Sequence, residues 1–414
     1  KLLYVAPETL QKEETIEFLN SVDLSFMAVD EAHCISEWGH DFRPDYRRIR
    51  DMINSIDRHI PIIALTATAT PKVQIDIVKS LEMNDPDIYM ESFNRPNLYY
   101  EVRPKINKDQ TMKQIVQILK AQPGESAIIY VQARKTTEEL AQVLQVNGIK
   151  ASPYHAGMDP KARSQVQDDF LMEEIDVICA TIAFGMGIDK PDVRVVIHYD
   201  IPKSLENYYQ ETGRAGRDGM VGNCFAFFAN ADLTRLEKFL RDKPASERDM
   251  GAQLLDEVEA YVESSVCRRK FVLHYFGEEF EESRCKGMCD NCRHPKPKLE
   301  VKKEMLLALK TILALNQNFT IKPLVEFLCG INTKDILDYE LDQHELFGQG
   351  KERDNLFWFS LFRQGILKGF IIKDVETYGI LKLSEEGKEF IKKPVEVEIS
   401  INHDYGNTTT SSEE

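Results

Sequence analysis

The sequence predicts an α/β protein with two lobes in tandem, followed by a four-cysteine module and a winged helix. Three observations predict it. Apolar runs of strand length alternate with helical patterns from residue 24 to residue 211, the pattern of parallel sheets covered by helices on both faces. Four cysteines, Cys267, Cys285, Cys289 and Cys292, gather in a charged helical region with metal-site spacing. Beyond them, three helical stretches precede an apolar hairpin, the element order of a winged helix.

In the first block, residues 2–5 read as a short strand, followed by a helix to about residue 20. Residues 24–30 form a buried strand, 46–53 a helix and 61–65 a strand ending in Thr66-Ala67-Thr68-Ala69-Thr70. Pro71 suits the first turn of the next helix, and residues 88–90 close the block. Phe93-Asn94-Arg95-Pro96-Asn97 is a turn-rich joint. In the second block, strands are expected at 127–131, 151–154, 176–180 and 193–199, with helices at 134–146, 160–171 and 204–211. Residues 233–266 are helical and heavily charged. Helices at 302–315, 321–328 and 356–364 lead to a hairpin of 369–373 with 380–383. The expected domains are 1–92, a partial first lobe; 93–243, the second lobe; 244–300, the cysteine module; 301–396, the winged helix; and 397–414, a polar, acidic, disordered tail.

The 414 residues are 43% hydrophobic and 29% charged, the balance of an ordinary globular chain. No apolar run approaches the ~20 residues of a membrane helix, and Lys1-Leu2-Leu3-Tyr4-Val5 lacks the zones of a signal peptide. The expectation is a cytosolic chain that begins inside a domain. A net charge of −16 argues against indiscriminate nucleic-acid binding, yet permits a local basic groove. Eight cysteines are too few for a disulfide framework at this length, and Cys34, Cys179, Cys224 and Cys329 stand among apolar residues as core thiols.

The chemistry centres on Asp30-Glu31-Ala32-His33. Two adjacent acids at the end of a buried strand are costly unless a cation sits there. In a phosphate-handling site that cation is Mg²⁺: the first acid holds it through its water shell and the second polarises the attacking water. The plainer reading is a loop with two surface acids; the apolar strand before the pair and the aromatic loop after it favour the first. Gly185 and Gly187, after the strand at 176–180, permit close approach of a phosphate to the backbone, though Gly-x-Gly alone is weak evidence. Arg214 and Arg217, three apart and framed by glycines, can share a face and clamp a γ-phosphate; a solvated basic turn is the alternative. A nucleotide between the lobes would meet Asp30 from one and the Gly213 loop from the other. The four clustered cysteines suit tetrahedral Zn²⁺ in a closed, structural site, which leaves His274 and His294 as bystanders.

These segments, in this order, resemble RecQ-family DNA helicases of superfamily 2, with two RecA-like lobes, over residues 1 to about 395. The carriers are Asp30-Glu31-Ala32-His33, the loop from Ser36 to Tyr46, Thr66-Ala67-Thr68, the stretch from Ala180 to Pro191 and that from Gln210 to Gly219. The resemblance implies that Asp30 and Glu31 are the Mg²⁺-holding and water-activating carboxylates. His33, Trp38, Phe42 and Arg43 would couple single-stranded DNA binding to ATP hydrolysis, with Thr66 and Thr68 relaying between the two. Gln210 and the arginine fingers Arg214 and Arg217 would complete an ATP site to which Gly185, Gly187 and Asp189 also belong. Tyr378 would sit near the tip of a wing at a duplex junction. Implied cofactors are ATP, Mg²⁺ and structural Zn²⁺. Implied partners are single-stranded, duplex and junction DNA, with single-strand-binding and recombination proteins; no membrane is involved, and a bacterial cytoplasm or nucleoid is the expected place.

One part of the pattern is missing. Neither Gly350-Lys351-Glu352 nor Gly387-Lys388-Glu389 continues into the Ser or Thr of a phosphate-cradling Gly-Lys-Ser/Thr loop. The adenine-reading glutamine segment is also missing. The expectation is therefore a fragment of an ATP-driven 3′ to 5′ helicase acting in repair or recombination, inactive without that loop, with a half-present first lobe whose sheet has exposed edges and bare apolar faces. The alternative is a non-hydrolysing module that binds junction DNA. An Asp-Glu-Ala-His RNA helicase is disfavoured by the cysteine module and the Trp38 loop.

Overall fold

A computed structural model describes the chain except residues 11, 40, 57, 182, 183, 185–188, 375 and 406–414, and the side chain of residue 246. It divides into two compact units. One comprises 1–94 with 206–210 and 273–279; the other comprises 95–205, 211–272 and 280–414.

The first unit holds two short parallel strands, β1 (Met27–Val29) and β2 (Ile62–Ala64), with Met27 opposite Ile62 and Val29 opposite Ala64. The parallel pairing brings the carboxyl ends of both strands, at Asp30 and Leu65, to the same side, and Ala32 N–H donates to the Leu65 carbonyl at 2.9 Å. The helices Glu13–Ser21, Ile49–Asn54 and Pro71–Ser80 contribute Leu19, Ile49, Met52, Ile53, Val73 and Ile77 to a core shared with Val29, Ala32 and Ile35. The Thr70 hydroxyl accepts from Val73 N–H and caps the third helix, which Pro71 starts as expected.

The strand expected at residues 2–5 is absent, and the closing stretch 88–90 is not a strand either. Residues 2–5 and 88–90 have no ladder partner among the described residues, and Leu2, Tyr4, Ile88, Tyr89 and Met90 are exposed. A strand without a neighbour leaves its backbone groups to water and gains nothing over coil. Phe18, Phe26, Ile63, Leu65 and Ile75 are also exposed. A cavity of about 1140 Å³, lined in part by Ile60, Ile62, Ala64, Ile77 and Met83, opens beside β2. These are the bare apolar faces that the sequence led us to expect.

The second unit is built on a six-stranded, wholly parallel sheet in the order β3-β8-β7-β4-β6-β5. Its strands are β3 (Leu98–Pro104), β4 (Ser126–Tyr130), β5 (Ala151–Tyr154), β6 (Val177–Ala180), β7 (Val193–His198) and β8 (Gly222–Phe228). Every residue of central β4 is buried, as its unbroken apolar run requires. The helices Lys108–Lys120, Arg134–Val146 and Pro160–Leu171 cover the sheet; Asn107 and Asp159 cap the first and third through their side-chain oxygens. Strands β3 and β8 were not foreseen.

Strand β3 forms one edge of the sheet, and the cysteine module covers it. Tyr100 N–H donates to Met288 O, and Val102 N–H donates to the Asp290 carboxylate at 3.0 Å. The rest of the unit is helical apart from two small antiparallel pairs. Helix Ala245–Glu263 leads into the module. The winged helix comprises the helices Lys302–Ala314, Ile321–Cys329 and Asn355–Leu367 and the hairpin β10 (Ile371–Asp374) with β11 (Ile380–Leu383), around Met305, Leu309, Leu324, Phe327, Trp358 and Leu381.

The expectation of a disordered tail from residue 397 needs correction through residue 405. Strand β12 (Glu398–Ser400) pairs with β9 (Lys298–Glu300), Asn402 is buried with its N–H on Ser360 Oγ, and Tyr405 meets Phe228 edge-on. The polar composition masks an alternation: Val397 and Ile399 are buried, as in a strand with one face on the core. None of the described helices is long and apolar enough to cross a membrane.

Candidate functional site

In the first unit the acidic motif begins where β1 ends. Asp30 is exposed, and its Oδ1 accepts from Glu31 N–H at 2.9 Å. Glu31 takes a left-handed backbone (φ 49°), which turns the chain out of the strand into the short helix Ala32–Ile35. His33 is buried, with Nδ1 3.0 Å from Thr66 Oγ1 and 3.3 Å from Glu31 Oε2. Burial lowers the His33 pKa to about 4, so the imidazole is neutral at neutral pH and its contact with Glu31 is a hydrogen bond. The sequence continues the network: Thr68 N–H donates to Thr66 Oγ1 at 3.2 Å, and Gln210 Nε2 donates to Thr68 Oγ1 at 2.9 Å. His33, Thr66, Thr68 and Gln210, singled out separately in the sequence, thus form one hydrogen-bonded chain.

The loop after His33 is pinned at several points. Arg43 grips Asp41 Oδ2 through Nε (3.2 Å) and Nη2 (2.8 Å), while its own N–H donates to Cys34 O. Lys72 lies over the Trp38 ring and Arg47 over the Phe42 ring, at 5.5 and 5.3 Å. A Cβ on Gly39 would lie 2.6 Å from His33 O, so the loop packs onto the motif only with glycine there. Burial and the nearby Asp41 push the Cys34 thiol up to about 12, which makes it a packing group, as foreseen.

In the second unit Arg214 and Arg217 stand on the loop after helix Leu205–Thr212. Arg217 Nη1 lies 3.5 Å from Asp189 Oδ1, which joins two predicted site residues. Burial pushes the Tyr130 phenol well above its ordinary range, and neighbouring Arg214 partly offsets this. Beneath the loop, His198 Nε2 lies 2.7 Å from Glu211 Oε2, both buried, and the imidazole stacks on Tyr130. This pair escaped the sequence reading; its signal was a histidine ending the apolar run of β7. Gly185 and Gly187, also predicted, lie outside the described residues. Tyr378 is half-exposed on the hairpin turn, with φ 54°.

The four cysteines converge. Their sulfur atoms all lie within 4.8 Å of one another, with Cys285–Cys289 at 3.8 Å and Cys267–Cys289 at 3.9 Å. Sulfurs about 2.3 Å from a tetrahedral zinc ion are about 3.8 Å apart, whereas a disulfide needs about 2 Å. The donor set therefore fits a closed, structural zinc site. Buried Arg268 supports it, donating to Asp290 and to the carbonyls of Tyr261 and Val262.

Four family profiles match the chain in sequence order. The DEAD/DEAH box helicase profile matches 1–76, the helicase conserved C-terminal domain 108–219, the RecQ zinc-binding domain 230–293 and the RQC domain 295–408. The ATP-dependent DNA helicase RecQ of Pasteurella multocida is 38% identical over 394 residues, 95% of this chain and 61% of that protein. The RecQ of Haemophilus influenzae is 37% identical over 403 residues, 97% of this chain and 64% of that protein. A putative ATP-dependent RNA helicase of Acanthamoeba polyphaga mimivirus is 38% identical over 385 residues, covering 90% and 69%. The chain thus spans less than two thirds of the length of either bacterial relative. Shared sequence over nearly all its length, with the thiol cluster formed where the zinc-binding profile falls, means that the chain belongs to the RecQ family of helicases.

Proposed function

We propose that the chain is the greater part of an ATP-dependent DNA helicase that moves 3′ to 5′ and unwinds duplex or junction DNA in repair or recombination. The observation that carries this reading is the hydrogen-bonded chain from His33 through Thr66 and Thr68 to Gln210. It joins Glu31 of the carboxylate motif to Thr66, Thr68 and Gln210 through His33. The loop bearing Trp38, Phe42 and Arg43 packs onto the same motif, with Gly39 against the His33 carbonyl and Arg43 N–H on Cys34 O. A stacking ring and a guanidinium suit a single strand, and the carboxylates suit a nucleotide.

In this mechanism Asp30 would hold Mg²⁺, and Glu31 would accept the proton of the water that attacks the γ-phosphate. Bound Mg²⁺ supplies charge neutralisation on the phosphates. Exposed Asp30 and the turned-out Glu31 fit a hydrated cation. Neutral His33 holds Glu31 and Thr66 in register, so DNA on the Trp38 loop and nucleotide at the acids are sensed through one network. Arg214 and Arg217 stabilise transition-state charge, and Asp189 orients Arg217. The winged helix meets the duplex, with Tyr378 near the junction. Single-strand-binding and recombination proteins are the partners such a role calls for.

The test uses the helicase polypeptide carrying this chain together with a Gly-x-x-x-x-Gly-Lys-Ser/Thr loop. ATP hydrolysis is measured with and without single-stranded DNA. Glu31→Gln should lower turnover at least a hundredfold and leave DNA affinity within about threefold. A variant that still hydrolyses ATP at the parent rate ends the reading. A second reading, a junction-binding module without turnover, is favoured by the lack of any Gly-Lys-Ser/Thr in the 414 residues. It predicts that the chain alone binds forked DNA and hydrolyses no ATP.

A further inference from the structure

The loop that carries Arg214 and Arg217 is fixed from two sides. Its amides are held by the chain around it: Ala215 N–H donates to Thr212 O at 3.0 Å, and Gly216 N–H donates to Val193 O at 2.9 Å. Its carbonyls are held by a residue far away in sequence. Arg95 Nη1 donates to Gly213 O at 3.1 Å, and Nη2 donates to Ala215 O (3.1 Å) and Gly216 O (3.0 Å). Asn97 Nδ2 adds bonds to Gly216 O (2.8 Å) and Met220 O (2.7 Å). Gly216 has φ +56°, and a Cβ there would lie 2.6 Å from Asn97 Nδ2. The loop is moulded to these two side chains.

Arg95 is held in turn. Buried Arg269 donates through Nη1 to Arg95 O (2.6 Å) and through Nη2 to Leu98 O (2.7 Å). Arg269 lies two residues after Cys267 and one after Arg268, which grips Asp290.

We propose that Arg95 is a positioning residue for Arg214 and Arg217, fixing the backbone that presents both guanidiniums, and that Arg269 anchors it to the cysteine module. The guanidinium fork places two nitrogens at once, Nη1 on Gly213 O and Nη2 on Ala215 O and Gly216 O; lysine has three donors but only one nitrogen and cannot fill both positions. The proposal rests on the reading above, in which Arg214 and Arg217 act on the nucleotide. Backbone placement matters because a transition-state donor displaced by about 1 Å loses much of its effect.

Two measurements test it. In the chain itself, Arg95→Lys should speed hydrogen exchange at amides 213–219 at least tenfold, with β4 and β7 unchanged within twofold. Unchanged exchange at 213–219 overturns the proposal. In the helicase polypeptide with its phosphate loop, Arg95→Lys should lower kcat for ATP at least tenfold with KM within threefold. In an Arg214→Ala background it should cost no more than a further twofold. Losses that multiply, or that fall on KM, overturn it. If Arg95→Lys does not fold, Asn97→Ser carries the same arms. If Arg214→Ala alone keeps kcat within twofold, the reading above fails, while the exchange result still decides whether Arg95 holds the loop.

Discussion

His33 shows how one side chain joins fold and chemistry. It sits in the core of the acidic motif, touching Thr66 and Glu31, and stays neutral because charging it there would strip a cation of water. The sign of its pH effect follows. A histidine whose pKa falls from 6.5 to about 4 on folding adds stability at pH above 6.5, and that contribution is lost as pH drops toward 4. The shift corresponds to a loss on the order of 3 kcal/mol. Denaturant midpoints of the parent and of His33→Gln, taken at pH 7 and pH 5, should show a steeper decline in the parent. Equal declines would mean that His33 titrates no differently in the folded chain. The residue was legible in the sequence as part of Asp30-Glu31-Ala32-His33. Its neutrality was not, because burial depends on Ala32, Ile35 and the Gly39 turn packing together.

At the level of elements, the cysteine module and the winged helix make separate claims. Cys289 is completely buried at the centre of the thiol cluster, so Cys289→Ser should lose the metal and destabilise the second unit by several kcal/mol. Zinc content by atomic spectroscopy, together with the melting temperature, checks both parts; full retention of zinc would count against the site. The winged helix is bound to helix Ala245–Glu263 by charge. Arg363 reaches Glu263 at 2.5 Å and Glu259 at 3.3 Å, and Lys373 of β10 reaches Glu257 at 2.6 Å. Removing one partner of a largely buried pair strands the other, so Arg363→Ala should cost about 3 kcal/mol, read by chemical denaturation. Burial raises the Glu259 pKa to about 7, so its contribution to folding is complete below about 4.5 and fades as pH rises through 7.

Element type was more legible than element partnership. The helix Arg134–Val146 and the strand Ala151–Tyr154 match their sequence patterns residue for residue. By contrast, β3 hides behind the proline joint at Pro96, and β8 behind the glycine loop that carries Arg214. Both are recognisable only once the sheet pairs them. The same holds for Arg95: it reads as part of a turn, and its role lies in three carbonyls more than a hundred residues away.

Across the whole molecule, strand pairing is unevenly shared. Among the described residues, the second unit wraps six paired strands in helices, whereas the first rests on one two-stranded ladder with Phe18, Ile63 and Leu65 in water. Two strands alone are marginal, so the first unit should open at lower free energy than the second. Hydrogen exchange should show β1 and β2 amides exchanging at least a hundredfold faster than those of β4 and β7. Equal protection would mean that the two units unfold as one. The tandem α/β plan, the thiol cluster and the wing were readable from spacing and alternation. The exposed apolar residues of the first unit also match the expectation of bare faces in a half-present lobe.

The contact of Met288 and Asp290 with β3 has a consequence for handling the protein. Chelation would loosen the module and leave a row of backbone donors and acceptors facing solvent, ready to template the same row on another molecule. Zinc starvation would then appear first as precipitation from concentrated stocks, which would make the metal a solubility factor as well as a fastener.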